Sequence, residues 1–267
     1  MAVVLPTGVL PTVVLPTVVL PTLTWGDPTS SRHALMIHGL GSSAATCWQV
    51  MEALAEDGFA ATAVDLRGHG SAPRTSRYRI EDFAGDVALT LPPHGGSWDV
   101  VIGHSIGAAS AVVAAAHHPG WASALVLLDP ALELDDEVRS QVLANQRLGH
   151  SVHGVTDIKE LHPHWHPLDI TLKVDAHRSA SLWALERAVE DNSPWNVTSK
   201  ARSLMSPTHV VGGQKERGSM FYGEEAAALL AANPHWSYEL ITGAGHSVHR
   251  DKPEETISSI RVFLAGL

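Results

Sequence analysis

The chain has 267 residues, of which 45% are apolar, and its formal net charge at pH 7 is −10, with 18 lysines and arginines. This length and apolar content are sufficient for one sizeable hydrophobic core and argue against global disorder. The acidic balance, without a basic stripe, argues against nucleic acid or an anionic membrane surface as a partner. A single cysteine, Cys47, excludes an internal disulfide, and we therefore expect a cytoplasmic protein and a buried, inert thiol.

The first 22 residues form a repeat with a period of five. Val-Leu-Pro-Thr occurs at 4–7, 9–12, 14–17 and 19–22. Proline at every fifth position forbids a continuous helix, so we expect neither a membrane span nor a signal-peptide helix. The prediction is an extended surface arm or sheet-edge strand that runs into the first core strand. A specific oligomerisation strand, and with it a homo-oligomer, is the alternative.

From residue 23 onward, short apolar runs alternate with helical patterns. Strands are predicted at 22–25, 33–38, 59–64, 98–102, 124–128, 208–211 and 236–241, and helices at 46–56, 80–91, 105–117, 223–232 and 253–265. Most of the strands are apolar throughout, as in a sheet covered on both faces. The predicted fold class is therefore α/β, with a mostly parallel central sheet and helices on both faces. Functional residues are expected where the strands end.

The alternation stops between two core strands. Residues 133–205 mix amphipathic helical patterns, at 135–148 and 175–190, with prolines and histidines. This predicts a helical cap inserted into the core. The predicted organisation is an arm at 1–22, a first core part at 23–132, the cap at 133–205 and a second core part at 206–267.

The segment around Ser105 is the most informative. A β-branched run ends at Gly103, and Gly107 begins a stretch rich in alanine and valine. A serine held between a buried strand and a buried helix requires a turn so sharp that a Cβ at 103 or 107 would collide with backbone. Such a turn presents the hydroxyl at the end of the sheet, and we predict that Ser105 is a nucleophile.

Two other strand ends supply possible partners for this serine. His246 follows the last predicted strand in a glycine-rich loop, and histidine is the side chain best suited to take a serine proton near neutral pH. Another buried strand ends at His38, and Gly39 and Leu40 follow it. We expect the backbone N–H groups of Leu40 and Ile106 to form an oxyanion hole.

With these residues the chain resembles the α/β-hydrolase superfamily over about residues 23 to 267. The motifs that carry the resemblance are His38-Gly39, Asp65-Leu-Arg-Gly-His-Gly70, Gly103-His-Ser-Ile-Gly107, Leu127-Leu-Asp129-Pro and Gly243-Ala-Gly-His246. In that superfamily the cap shapes the substrate pocket. The resemblance therefore implies that Gly39 and the cap residues Trp165 and Trp183 contact the substrate, with Trp195 a further candidate. The alternative for each tryptophan is that it forms part of the cap's own core.

The acid that orients the histidine has two candidates. Glu216 follows the strand at 208–211 at the spacing where the superfamily usually places its acid, although aspartate is the usual residue there. Asp129 ends the preceding strand, where some members place the acid instead, but Asp-Pro also commonly ends a strand for structural reasons. The prediction takes Glu216 as the acid and keeps Asp129 as the alternative.

Other residues suggest chemistry that the serine does not need. His162, His164 and His166 form a possible zinc site, but they are more typical of a rigid loop, and no metal is expected. Arg67 is expected to form structural ion pairs or loop contacts, and His104 and His249 to pack or to face solvent rather than to act as the base. The sequence contains no nucleotide-binding fingerprint, so no cofactor is expected.

The sequence therefore predicts a cofactor-free serine hydrolase that cleaves a carboxylic ester or lactone through an acyl-enzyme intermediate. The expected partner is a small, largely apolar ester or lactone. Carbon–carbon bond hydrolysis, amide hydrolysis and perhydrolysis by the same residues are the enzymatic alternatives. A non-catalytic ligand receptor or an inactive scaffold on the same fold are the alternatives from other classes.

Overall fold

A computed structural model describes residues 17–151 and 154–267 of the protein. Its strands are β1 (Thr22–Trp25), β2 (His33–Ile37), β3 (Ala60–Val64), β4 (Trp98–His104), β5 (Ala122–Leu128), β6 (Glu133–Leu134), β7 (Trp195–Asn196), β8 (Thr208–Gly212) and β9 (Trp236–Leu240). The seven strands other than β6 and β7 form one sheet in the order β1-β3-β2-β4-β5-β8-β9. All pairs are parallel except β1 with β3, which confirms the predicted mostly parallel sheet.

The helices are α1 (Trp48–Glu56), α2 (Ile80–Ala88), α3 (Ile106–His117), α4 (Asp136–Ser151), α5 (Val155–Leu161), α6 (Pro167–Ser179), α7 (Leu182–Glu190), α8 (Thr198–Arg202), α9 (Gly223–Ala232), α10 (Val248–Asp251) and α11 (Pro253–Ala265). Residues 106–115 of helix α3 are all buried, so this helix is covered on every side, as expected of a helix that is almost entirely apolar. Within the described ranges, no helix is both long and apolar enough to cross a membrane.

The sheet order brings four loops together at one edge. Strands β2, β4, β5 and β8 are successive neighbours, and the chain leaves their carboxyl ends at 38, 105, 129 and 213. Every residue of β2, β3 and β8 is buried, so the sheet is covered on both faces. This packing fixes the positions of the strand ends. The loops that carry the candidate functional residues therefore lie on a rigid edge.

The segment 133–205 leaves the sheet after β5 and returns at β8. It contains α4 to α8 and a short antiparallel pair of β6 with β7. The prediction of one helix over 175–190 is wrong. Ala180 is extended, with ψ of 141°, and the Ser181 side chain accepts a hydrogen bond from Ala184 N, so the chain ends α6 and starts α7 with a new N-cap.

Residues 17–25 attach the N-terminal segment to the core. Strand β1 occupies the predicted range and pairs with β3, and Leu20 is buried in the core. The Val18 amide donates to Asp86 Oδ1 at 2.8 Å, and Asp86 also receives Nε and Nη2 of Arg67 at 2.6 and 2.7 Å. The predicted structural ion pair of Arg67 is confirmed. The repeat copies before residue 17 lie outside the described residues.

Candidate active site

The backbone at Ser105 makes a sharp turn between β4 and α3. Its φ and ψ are 56° and −120°, in the left-handed half of the map that residues with a Cβ rarely occupy. A Cβ at Gly103 would lie 2.5 Å from Ala108 Cα, and one at Gly107 would lie 2.4 Å from the Ile37 carbonyl oxygen. The two glycines are therefore required by the close approach of backbone to backbone. The turn places Ser105 on the wall of a cavity.

His246 and Asp129 form a short polar contact beside Ser105. His246 Nδ1 lies 2.6 Å from Asp129 Oδ2, and Asp129 is fully buried. An ionised carboxylate can only accept, so Nδ1 carries the proton and Nε2 carries the lone pair. Three more donors converge on Asp129: Gly213 N at 3.2 Å, Ser219 Oγ, and Met220 N at 2.8 Å. They replace the water that burial removed.

The structure corrects the expectation that Glu216 orients His246. Glu216 is exposed on a short 3₁₀ turn, Lys215–Arg217, directly after β8. The residues on either side of this turn donate hydrogen bonds to Asp129. Gly213 N donates from before the turn, and Ser219 Oγ and Met220 N donate from after it. The spacing after the strand thus identified a loop that contacts Asp129, but the carboxylate that contacts His246 is Asp129 and not Glu216. The available signal was the place of Asp129 directly after the fully apolar end of β5.

The loop after β2 passes directly over the serine. A Cβ at Gly39 would lie 2.6 Å from His104 Nδ1 and 3.1 Å from Ser105 Cβ, so only glycine fits there. Leu40, from this loop, and Ile106, at the start of α3, line the same cavity as Ser105. The predicted oxyanion-hole residues are thus neighbours of the serine.

Two buried histidines fix the loop over the serine. His38 Nε2 accepts from Leu66 N at 3.0 Å, and His69 Nε2 accepts from Gly41 N at 3.1 Å. Burial lowers the pKa of His38 to about 3 and that of His69 to about 4, so both rings are neutral at pH 7. Neutral rings are required here because each ring must accept a backbone N–H.

The histidine beside the serine holds the loop that carries His246. His104 Nε2 donates to the His246 carbonyl at 2.9 Å. Its ring lies between those of His246 and His249, with centroid distances of 4.8 and 4.7 Å. Both His104 and His249 are buried, which confirms that they pack around the site. Burial lowers the pKa of both rings well below the usual range.

The cavity beside Ser105 has a volume of about 340 Å³ and is bounded by the core and by the 133–205 segment. Trp165 lines it as predicted, is buried, and donates through Nε1 to Asp251 Oδ1 at 2.7 Å. Trp183 is absent from the lining: it is 48% exposed and packs edge-on against Tyr78. The prediction for Trp183 is therefore wrong. Trp195 does line the cavity.

Two cations on the cavity wall were missed by the sequence analysis. Arg250 comes from α10, four residues after His246, and Lys173 comes from α6. Burial, and secondarily the Arg250 charge, lowers the pKa of Lys173 to about 7. In sequence both residues are ordinary members of helical segments, so only the folded arrangement brings them together.

The three histidines proposed as an alternative zinc site are used separately. His162 stacks on Trp165 with ring centroids 3.8 Å apart, and His164 Nε2 contacts Asp251 Oδ1 at 3.0 Å. His166 caps α6 by accepting from Leu168 N. Within residues 17–151 and 154–267, no group of three or more His, Cys, Asp or Glu residues is arranged to hold a metal ion. Cys47 is a buried free thiol, as predicted, and burial raises its pKa to about 12.

Comparison with known proteins agrees with this geometry. The model of the alpha/beta hydrolase family matches residues 34–259. The chain belongs to this family. The predicted superfamily and the predicted fold class are thereby confirmed.

Several curated relatives cover most of the chain, and two of them are compared with it below. This chain is 26% identical over 250 residues to the 2-(acetamidomethylene)succinate hydrolase of Mesorhizobium japonicum. The aligned region covers 86% of this chain and 87% of that protein. The chain is 25% identical over 268 residues to an esterase of Mycobacterium tuberculosis, which covers 91% and 85%. The crystal structure of E-2-(acetamidomethylene)succinate hydrolase superposes with a TM-score of 0.80 at 23% identity, over 92% of this chain and 95% of that one. This last likeness concerns the fold alone.

Proposed function

We propose that this alpha/beta hydrolase is a serine hydrolase that cleaves a carboxylic ester through Ser105, His246 and Asp129. The observation that carries the proposal is the 2.6 Å contact between His246 Nδ1 and the buried Asp129, on a histidine that lines one cavity with Ser105. The strained turn at Ser105 supports it, because such strain persists where it serves a function.

In the proposed reaction His246 Nε2 takes the Ser105 hydroxyl proton as Oγ attacks the substrate carbonyl. The carbonyl oxygen becomes an oxyanion, which the N–H groups of Leu40 and Ile106 stabilise. The imidazolium formed on His246 is stabilised by Asp129, and it gives its proton to the departing alkoxide. Water then attacks the acyl-enzyme with His246 as base, which releases the acid and restores Ser105. The 133–205 segment acts as a cap over this chemistry.

Amide hydrolysis by the same residues is the second candidate. The name of the Mesorhizobium relative describes a hydrolase of an acetamido compound, whereas the Mycobacterium relative is named an esterase. The two reactions differ in the leaving group that His246 must protonate. A matched pair of an ester and an amide of the same acyl group separates them by the ratio of their kcat/KM values.

The test of the proposal is Ser105→Ala. Loss of a triad nucleophile costs on the order of 10⁶ in kcat, so hydrolysis of p-nitrophenyl acetate should fall to background. Circular dichroism and Tm should stay those of the wild type. A fluorophosphonate should add one adduct to the wild type at Ser105 and none to the variant, by intact-protein mass spectrometry. A variant that keeps more than a few per cent of the activity contradicts the assignment, and a wild type with neither turnover nor adduct favours a ligand receptor.

A further inference from the structure

The cavity next to Ser105 is cationic, although the chain as a whole is acidic. Arg250 and Lys173 both line it, and Arg250 is only 3% exposed. None of the described side chains that line the cavity is an aspartate or a glutamate. Because the whole chain carries a net charge of −10, this local excess of positive charge is a specific feature of the site.

Neither cation has a carboxylate partner. Among the ion pairs of residues 17–151 and 154–267, none involves Arg250 or Lys173. Lys173 Nζ donates to the Gly41 carbonyl at 2.7 Å, and Arg250 Nη2 donates to Ser42 Oγ at 2.9 Å, both neutral acceptors. Arg250 Nε is buried and has no hydrogen-bond partner.

The two carboxylates that act on the charge of Arg250, Asp169 and Asp251, already accept hydrogen bonds from other donors. Asp169 receives Trp48 Nε1 at 2.8 Å and Gln49 Nε2 at 2.6 Å. Asp251 receives Trp165 Nε1, His164 Nε2 and the Gly245 amide. Both carboxylates favour the charged form of Arg250, but neither belongs to the cavity lining.

An unpaired cation in a buried site is expensive for the fold. Removing it from water costs several kcal/mol unless an opposite charge compensates. Burial is the main reason why the pKa of Lys173 falls to about 7 and why that of Arg250 is lowered. An anion bound between them would relieve both, and groups perturbed in this way cluster at functional sites.

We propose that Arg250 and Lys173 bind a carboxylate of the substrate, so that the enzyme hydrolyses an ester or amide whose acyl part carries a second, free carboxylate. The guanidinium offers two parallel donors to a carboxylate, and the ammonium adds a point charge. Trp165 supports the guanidinium, whose central carbon lies 5.3 Å from its ring centroid. This inference rests on the proposed function and replaces the expected largely apolar substrate.

The first experiment compares two esters of similar shape. Mono-p-nitrophenyl glutarate carries the free carboxylate, and p-nitrophenyl pentanoate does not. The wild type should prefer the hemiester in kcat/KM after subtraction of spontaneous hydrolysis. Because a hydrogen bond to a charged group contributes about 1.5–3 kcal/mol, Arg250→Met and Lys173→Met should each reduce this preference by about tenfold or more, chiefly through KM.

Matched controls remove an exposed cation that does not line the cavity. Arg261→Met and Lys159→Met alter exposed side chains of α11 and α5, and they should keep the wild-type preference. Equal kcat/KM for the two esters, or the same preference in all four variants, overturns the inference. It leaves the proposed function intact, since both esters would still be cleaved in a Ser105-dependent way.

The second experiment measures binding without turnover. Glutarate should bind Ser105→Ala protein in calorimetry, and it should bind the Ser105→Ala/Arg250→Met double variant at least about tenfold more weakly. A merely structural Arg250 would instead lower Tm without an effect on glutarate affinity, and that result overturns the inference. If neither ester is cleaved, Arg250-dependent glutarate binding still supports the carboxylate site, while its absence contradicts it.

Discussion

At the scale of single residues, the charge of Asp129 is held by four donors. Two backbone amides and one hydroxyl come from the chain after β8, and the fourth donor is His246. Asp129 itself has a positive φ of 39°, a conformation that aspartate tolerates better than most residues. The carboxylate is thus fixed before any substrate binds, and such preorganisation is what an orienting acid requires.

Asp129→Asn and Glu216→Gln make a matched pair of carboxylate-to-amide changes. An amide at 129 can donate to His246 Nδ1 and so favours the wrong tautomer, and it cannot stabilise the imidazolium. We expect kcat of Asp129→Asn to fall by about 10⁴, the loss that such a change causes in a serine protease. Glu216→Gln should change kcat less than about twofold, because Glu216 is exposed.

Steady-state kinetics on p-nitrophenyl acetate measure both variants, and Tm serves as the control for folding. Asp129 also accepts hydrogen bonds that hold the loop after β8, so some loss of stability is expected in Asp129→Asn alone. The reverse ranking of kcat would return the acid to Glu216. Near-normal turnover in both would remove the third member from the proposed triad.

The candidate site residues differ in how far the sequence could point to them. Ser105 and His246 stand out as candidates in the sequence because glycines around each one reveal a local backbone requirement. The choice between Asp129 and Glu216 could not be predicted, since both follow core strands that pair side by side. Arg250 and Lys173 left no signal, because the loss of water around them exists only in the fold.

At the scale of elements, the sheet follows from short apolar strands separated by amphipathic helices. All seven of its strands begin and end within two residues of the predicted limits because glycine, proline and polar runs mark those limits in sequence. Within 133–205 the prediction was poorer. Helices α5 and α8 and the β6–β7 pair are short, and tertiary packing decides whether such segments form.

Gly107 in α3 and Gly85 in α2 differ in the space that surrounds them. At Gly107 a Cβ would lie 2.4 Å from the Ile37 carbonyl oxygen, whereas at Gly85 in α2 its nearest neighbour is a Thr17 methyl at 3.4 Å. Alanine is about 1 kcal/mol better than glycine in a helix. We expect Gly85→Ala to stabilise by up to about 1 kcal/mol.

Gly107→Ala should instead destabilise by about 1–3 kcal/mol or more, since backbone must move to relieve the overlap. Urea unfolding measures both free energies, and the activity of Gly107→Ala should fall as the turn at Ser105 shifts. Equal effects of the two substitutions would show that α3 can move away from β2 without loss.

At the scale of the whole molecule, several buried histidines around the candidate site are uncharged. His38 and His69 accept backbone amides, and His104 joins the loops that carry Ser105 and His246. Each of these rings is neutral in the fold because burial penalises its charged form. In the unfolded chain burial does not penalise the charged form of these histidines. The free energy of unfolding of the entire protein therefore depends on pH.

The sign of this coupling follows from the lowered pKa values. Unfolded histidines titrate near a pKa of about 6.5, whereas folded His38 and His69 titrate at about 3 and about 4. Below pH 6.5 the unfolded state therefore binds more protons, and stability is lost as pH falls. Between pH 7.5 and 5.5 each of the two histidines should remove roughly 1.4 kcal/mol, about 3 kcal/mol together. His104 and His249, whose pKa burial also lowers, add to this loss.

Urea unfolding at pH 7.5, 6.5 and 5.5 measures the effect in a range where most carboxylates stay ionised. The loss should be steepest below pH 6.5. His38→Gln, whose amide oxygen can still accept from Leu66 N, should reduce the loss by about 1.4 kcal/mol, while His118→Gln, at an exposed position, should leave it unchanged. A free energy of unfolding that stays constant from pH 7.5 to 5.5, or an equal loss in His38→Gln and the wild type, would mean that these rings are charged in the fold. The backbone amides of Leu66 and Gly41 would then need other acceptors, and the loop over Ser105 would be held in a different way.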